Sequence, residues 1–211
     1  EIEARLATLL SAPPSKSEGE APTIDDLFEH VLSRIMKDIE PDPVIASVKA
    51  LWGSYDGLAR SELLEITGMA PSIWAEIQTA LDENLYESGG QITLGNKFIR
   101  KAVEDMFLPT PEARRETHRW LGEWFEGREV TLDVAQERVH SWYEAGDTER
   151  LRLTLLEQDV FRALYHADKL RLIGHWVDLE TNMERNYAEA HEHFKRACGK
   201  NQQILIVKSD K

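Results

Sequence analysis

The chain has 211 residues, of which 42% are hydrophobic and 30% are charged, a composition typical of folded globular proteins. It carries 38 Asp and Glu residues against 25 Lys and Arg, a formal net charge of −13. Such a field repels nucleic-acid phosphates unless a basic patch is segregated on one face. The single cysteine, Cys198, excludes an intramolecular disulfide and favours a cytoplasmic location. Because no apolar run approaches roughly 20 residues, we expect no membrane span.

The beginning of the chain predicts the end of a helix followed by a linker, together covering residues 1–22. Apolar residues recur with helical spacing from Ile2 to Leu10, and residues 11–22 are rich in Pro, Ser, Gly and charge. Since the sequence starts at Glu1 within a helical pattern, we expect a piece of a longer protein.

Residues 23–41 predict an amphipathic helical segment. Thr23 has the side chain of an N-cap, and Asp26 follows three residues later, where it completes a capping box. Apolar residues then recur at i+4 spacing along two adjacent rows, which predicts a wide buried face.

Residues 42–108 predict a winged helix-turn-helix, that is, three helices followed by one β-hairpin. Asp42-Pro43 predicts the start of the first helix, residues 61–67 predict a short second one, and Pro71 opens the third. Residues 85–94 contain two short alternating runs around a Ser-Gly-Gly turn, the pattern of a hairpin. A two-stranded ribbon is unstable alone, so we expect it to lie against these helices.

Residues 109–198 predict short helices in antiparallel pairs, which makes the fold class mainly α. Thr110-Pro111 predicts a helix start, and Gly146-Asp147 predicts a tight turn between two helices. This pattern resembles a helical-repeat array, but no exact period is visible, so we describe the region as repeat-like. The tail, residues 199–211, leaves an edge strand, a helix start and a sequence foreign to the native protein as open interpretations.

A winged helix commonly binds DNA through its third helix, which here spans residues 71–84. That segment contains no Lys or Arg and carries Glu76, Asp82 and Glu83, whereas base and phosphate contacts require cations and amides. The sequence therefore favours a protein-interaction module. A DNA-binding transcription regulator with a helical partner-binding domain is the alternative.

No motif in the chain predicts catalysis or a bound cofactor. A P-loop requires Gly, four residues and then Gly-Lys-Ser/Thr, but the Gly199-Lys200 pair is followed by Asn201. His191 and His193 lack the spacing and partners of zinc ligands. We therefore expect no catalytic residue, no metal and no cofactor in this chain.

Seven segments carry a resemblance to a known family, namely residues 50–68, 73–74, 80–81, 99–110, 113–118, 144–151 and 161–169. In this order they resemble the winged helix and following helices of NACHT-type STAND NTPases. The similarity is to the branch of nephrocystin-3 and telomerase-associated protein, which has tetratricopeptide-repeat relatives.

The resemblance implies that the parent protein is a signal-transducing NTPase whose P-loop domain binds ATP or GTP with magnesium. This chain would be a non-catalytic regulatory region that packs on that domain in the resting state. It would link the domain to C-terminal sensor repeats, and copies would form a homo-oligomer on activation.

The family commonly has a histidine after the wing that contacts the nucleotide phosphates, and Asn96 stands at that position here. Lys97 and Arg100 follow as candidate cations, so these three residues are the predicted nucleotide-sensing group. Asn96 also has the side chain of a helix N-cap. Trp120 and Trp124, one turn apart, are predicted to contact the NTPase domain, with core packing as the alternative.

Overall fold

The computed structural model describes residues 23–181, which form a mainly helical structure with a three-stranded antiparallel sheet. The predictions for residues 1–22, for His191, His193 and Cys198, and for the tail 199–211 lie outside the described residues.

Apart from a short first strand and a 3₁₀ turn, the elements follow the order that the sequence predicts. They are α1 (Ile24–Asp38), α2 (Pro41–Gly53), β1 (Leu58–Ala59), α3 (Arg60–Thr67), α4 (Pro71–Leu81), a 3₁₀ turn (Asp82–Asn84), β2 (Leu85–Ser88), β3 (Gln91–Leu94), α5 (Lys97–Phe107), α6 (Pro111–Glu126), α7 (Leu132–Ala145), α8 (Thr148–Leu156), α9 (Gln158–Ala167) and α10 (169–181).

Side-chain caps position most of the helix starts. Thr23 and Asp26 form the predicted capping box of α1, with the Asp26 carboxylate accepting a hydrogen bond from the Thr23 amide at 2.9 Å. Thr110 accepts from the third amide of α6 as expected. The start of α2 differs from the prediction, because Pro41 rather than Pro43 is its first residue. Both prolines lie in the first turn, where amides have no helical partner.

The sheet has one strand more than predicted. β2 and β3 form the expected hairpin, and β1 pairs with the other edge of β3 in the register Leu58 to Ile92. The expectation of a two-stranded ribbon is therefore wrong. β1 has only two residues, too few for an alternating pattern, and its pairing buries Leu58 completely.

The first hydrophobic core extends beyond residues 42–108. Its buried side chains come from α1 through the start of α7 and include Leu32, Val48, Leu51, Leu58, Leu63, Trp74, Ile77, Leu81, Ile99, Leu121 and Phe125. Because α1 and α6 complete this core, the helices and sheet of residues 42–108 are packed on both sides by the helices that flank them.

A second core joins α7 to the last three described helices. It contains Ala135, Val139, Trp142, Leu151, Leu155, Val160, Leu164, Leu172 and Leu179. Arg138 of α7 is buried beside it and donates two hydrogen bonds to the Glu157 carboxylate, at 2.8 and 2.5 Å. This pair fixes the α8–α9 corner against α7, because a two-point guanidinium contact restricts orientation as well as distance.

Candidate functional site

The C-terminal end of α2 packs directly on α6, and a glycine makes this approach feasible. A Cβ atom on Gly53 would lie 2.8 Å from Leu121 Cδ1 and 3.2 Å from Thr117 Cγ2. Any larger residue at position 53 would push the helices apart. The close packing brings the residues at the end of α2 within reach of α6 and α7.

Four aromatic side chains and one guanidinium lie where the end of α2 meets α6 and α7. We call these residues the junction cluster: Trp52, Tyr55, His118, His140 and Arg171. The His118 ring lies 5.2 Å from Trp52 and 5.3 Å from His140, and the Tyr55 ring lies 5.5 Å from His140. The Arg171 guanidinium carbon is 4.2 Å above the Tyr55 ring, and Arg171 also hydrogen-bonds the Tyr55 hydroxyl. The cluster thus ties α2 to α6, α7 and α10.

Both imidazoles of the cluster are held in their neutral form. Burial lowers the pKa of His118 from 6.5 to about 4, and the Gly53 backbone partly opposes this shift. Burial also lowers the pKa of His140 to about 4, assisted by His118 and by the charges of Arg171 and Arg100. His118 Nδ1 is buried and has no hydrogen-bond partner in the described structure. Burial thus outweighs the stabilising effect of the Gly53 backbone, and both rings stay neutral at neutral pH.

Glu137 connects α7 to the segment between α2 and β1. Its Oε1 atom accepts hydrogen bonds from the amides of Tyr55 and Asp56, at 2.8 and 3.4 Å. The side chain is only 4% exposed, and burial raises the pKa of Glu137 to about 8 against the lowering effect of the two amides. Glu137 therefore holds the α2–β1 segment while its carboxyl group is mostly protonated at neutral pH.

The predicted nucleotide-sensing residues lie at the start of α5, and the structure assigns each of them a contact within the chain. Asn96 is the N-cap of α5 and accepts from the amides of Phe98 and Ile99, both at 3.0 Å. The cap interpretation is therefore confirmed. Arg100 donates to the Trp52 carbonyl at 2.6 Å, whereas Lys97 is exposed with its Nζ 5.1 Å from the Phe98 ring centre. A contact of these residues with phosphate stays a prediction.

Replacement of the α5 cap should lower stability without rearranging the fold. We expect Asn96→Ala to lower the free energy of unfolding by about 1 kcal/mol, because two amides of the first turn lose their acceptor. Asn96→Asp keeps the acceptor and should retain stability. Urea unfolding of the three proteins measures the effect, and an Asn96→Ala protein as stable as the parent would contradict it.

Trp120 and Trp124 lie on α6 and are partly buried against the first core. Trp124 packs edge-on to Phe125 at 4.7 Å, and the Arg128 guanidinium lies 3.8 Å from its ring centre. Packing against the first core, the alternative interpretation, thus explains the buried part of each tryptophan ring. Their contact with an NTPase domain stays a prediction.

The comparisons with known proteins give one informative match. The chain is 28% identical over 215 residues to a TPR repeat-containing protein from Dictyostelium discoideum. The match covers 97% of this chain but 12% of that protein. No family model matches the chain, and no solved structure gives a significant match. The similarity supports the expectation of a TPR-like helical region, which agrees with the short antiparallel helices α6 to α10.

Among residues 23–181, no helix combines the length and the apolar character that crossing a bilayer requires.

Proposed function

We propose that this chain is a non-catalytic regulatory and interaction region of a STAND-type signal-transducing NTPase. Residues 42–108 act as a winged helix that packs on the nucleotide-binding domain in the resting state. The helices after it lead to C-terminal repeats that sense the signal. In the parent, the P-loop domain binds ATP or GTP with magnesium in the cytoplasm, and activation assembles copies into a homo-oligomer.

The junction cluster is the observation that best supports this proposal. A switch of this kind needs a rigid connection between the part that contacts nucleotide and the part that contacts the signal. The start of α5, with Asn96 and Arg100, is connected to the cluster by the hydrogen bond from Arg100 to the Trp52 carbonyl. Arg171 of α10 closes the other end of the cluster on Tyr55. A displacement at α5 is thereby coupled to the repeat-like helices.

The similarity to a TPR repeat-containing protein also supports a role in protein interaction. TPR-type helix pairs stack into surfaces that hold partner polypeptides. By contrast, the surface that a winged helix would present to DNA is anionic, since Glu76, Asp82 and Glu83 are exposed. The DNA-binding alternative therefore has no observation in its favour, and we expect no salt-dependent shift of duplex DNA.

Binding to the P-loop domain of the same parent tests the proposal. We expect the chain to show no nucleotide turnover alone and to bind that domain, supplied separately, more tightly with diphosphate than with triphosphate nucleotide. Isothermal titration with each nucleotide measures this difference. Equal affinity in both states, or NTPase activity of the isolated chain, would refute the proposed role.

The Asn96→Asp variant distinguishes the role of residue 96 as the N-cap of α5 from its proposed role in nucleotide sensing. It retains the acceptor that caps α5, but its charge repels phosphate. We expect the variant to unfold like the parent chain and to lose the nucleotide dependence of domain binding. Glu83→Gln, a charge change on the exposed 3₁₀ turn, is the control and should retain that dependence.

A further inference from the structure

A cleft of about 420 Å³ lies between the hairpin turn, the α2–β1 segment and the first turns of α7. Its lining includes Ser88 and Gly89 of the turn, Gly57 of the segment, and Gln136 of α7. It is separate from the start of α5 and from the tryptophans of α6 that the resemblance singled out. The proposed function leaves this cleft without a role.

Among the residues that the structure describes, the lining of the cleft is acidic and includes no basic side chain. Four carboxyl groups reach it, those of Asp56, Glu62, Asp133 and Glu137. Neither Asp56 nor Asp133 has an ion pair within residues 23–181. Such a concentration of carboxyl groups is unfavourable unless a bound proton or a cation compensates it.

Two buried side-chain oxygen atoms in the same lining have no hydrogen-bond partner in the described structure. Oε2 of Glu137 and Oε1 of Gln91 are both shielded from solvent and make no hydrogen bond. The Glu137 side chain is 96% buried, so this missing partner is costly. The cleft thus combines carboxyl groups that make no ion pair with buried oxygen atoms that make no hydrogen bond. This arrangement is expected of a site that binds a cation with several hydrogen-bond donors.

The arrangement of oxygen atoms in the cleft suits a guanidinium better than a metal ion. Among residues 23–181 no three His, Cys, Asp or Glu side chains are close enough together to hold a metal. A guanidinium has five N–H donors spread over a plane, and it forms paired hydrogen bonds with separated carboxylates and amide oxygens. The polar lining also differs from the mostly apolar pockets that bind small organic ligands.

We propose that this cleft binds the arginine side chain of a partner polypeptide, with Glu137 and Gln91 accepting from the guanidinium and Asp56, Glu62 and Asp133 supplying charge. The occupant bridges the hairpin turn and α7, and so fastens the sheet to the helices that follow it. This site is independent of the proposed contact with an NTPase domain.

Binding of a cation at this cleft should release a proton. In the free chain burial, together with the charges of Glu62 and Asp56, raises the pKa of Glu137 to about 8. The groups that face it are Asp56 on the α2–β1 segment, Glu62 on α3 and Asp133 on its own helix, all acidic. A guanidinium favours the ionised carboxylate, so Glu137 should lose its proton on binding and affinity should rise between pH 6 and pH 9.

The test uses the full chain with two probes of the same shape, N-acetyl-arginine methylamide and its neutral counterpart N-acetyl-citrulline methylamide. We expect the arginine probe to bind at least about tenfold more tightly, because charge-assisted hydrogen bonds are about twice as strong as neutral ones. Titration calorimetry at pH 7 in two buffers of different ionisation enthalpy should show release of up to one proton for each probe bound.

Two variants and one control assign the site. Glu137→Gln keeps an acceptor for the Tyr55 and Asp56 amides but cannot ionise, so it should weaken the arginine probe about tenfold and abolish proton release. Asp133→Asn, at an exposed position, should weaken it by a smaller factor and tests the site if Glu137→Gln does not fold. Asp82→Asn, outside the cleft, should leave binding unchanged. The proposal would be overturned if the chain bound the two probes with equal affinity, or if both cleft variants bound the arginine probe as tightly as the parent. Displacement of the probe by equimolar Mg²⁺ would also overturn it.

Discussion

Acidification from pH 7 to pH 4 is expected to lower the stability of this chain, through His118 and His140. The pKa of each is lowered to about 4 by burial, from an ordinary 6.5. Between about pH 6.5 and pH 4 the unfolded chain therefore binds up to two more protons at these positions than the folded one, and their contribution to stability falls as the pH falls through that interval. Glu137 offsets part of this loss, because its raised pKa of about 8 gives the folded chain one proton that the unfolded chain binds only near pH 4.5. A pKa lowered by this amount corresponds to a loss on the order of 3 kcal/mol in the free energy of unfolding for each histidine. The total stability of a folded domain is roughly 5–15 kcal/mol.

The matched test replaces the two imidazoles with rings that do not ionise. We expect His118→Phe/His140→Phe to keep the aromatic contacts of the junction cluster and to lose much less stability between pH 7 and pH 4.5 than the parent. Thermal unfolding monitored by circular dichroism at several pH values measures the slopes. His166→Phe removes an exposed imidazole from α9 and should keep the parent slope. Parallel slopes for the double variant and the parent would refute the assignment.

Gly122→Ala is expected to destabilise the chain, although alanine is the better helix former. A Cβ atom at position 122 would lie 2.8 to 3.0 Å from three atoms of the Trp142 ring. Trp142 is completely buried in the second core, so a shift of its ring would disturb the contacts that it makes there. Overpacking of this kind costs about 1–3 kcal/mol, and it opposes a gain of up to about 1 kcal/mol in helix propensity.

Gly174→Ala on α10 is the control, because a Cβ atom there would meet no atom within 4 Å. It gains the same helix propensity without the clash, so the two substitutions should change the free energy of unfolding in opposite directions. Urea unfolding followed by tryptophan fluorescence measures both. A Gly122→Ala chain more stable than the parent would show that α6 and α7 can separate without loss.

Local signals in the sequence predicted most of the elements. The tight turn predicted at Gly146-Asp147 separates α7 from α8, and the capping box at Thr23 is present as expected. The hairpin turn also follows the prediction, with Gly89 and Gly90 both at positive φ. Each of these features depends on side chains within a few residues of one another, so a pattern in the chain is sufficient to predict it.

No local sequence pattern predicted the junction cluster or the acidic cleft. Glu137 is 82 residues away from the Tyr55 amide that it binds, and Arg171 is 116 residues away from the Tyr55 hydroxyl. On α7 Glu137 is one of several acidic residues of a chain that has 38, and the histidines have no motif around them. The helix face of this glutamate gives no signal either, because Asp133, Ser141 and Glu144 lie on the same face.

Caps, periodicity and composition act over short distances, so they were sufficient to predict most of the secondary structure, the turn of the hairpin and the absence of basic residues from α4, but not the two-residue strand β1. The tertiary structure decided which polar groups are buried together. Burial depends on contacts between α2, α6, α7 and α10, and it is burial that keeps His118 and His140 neutral and Glu137 protonated.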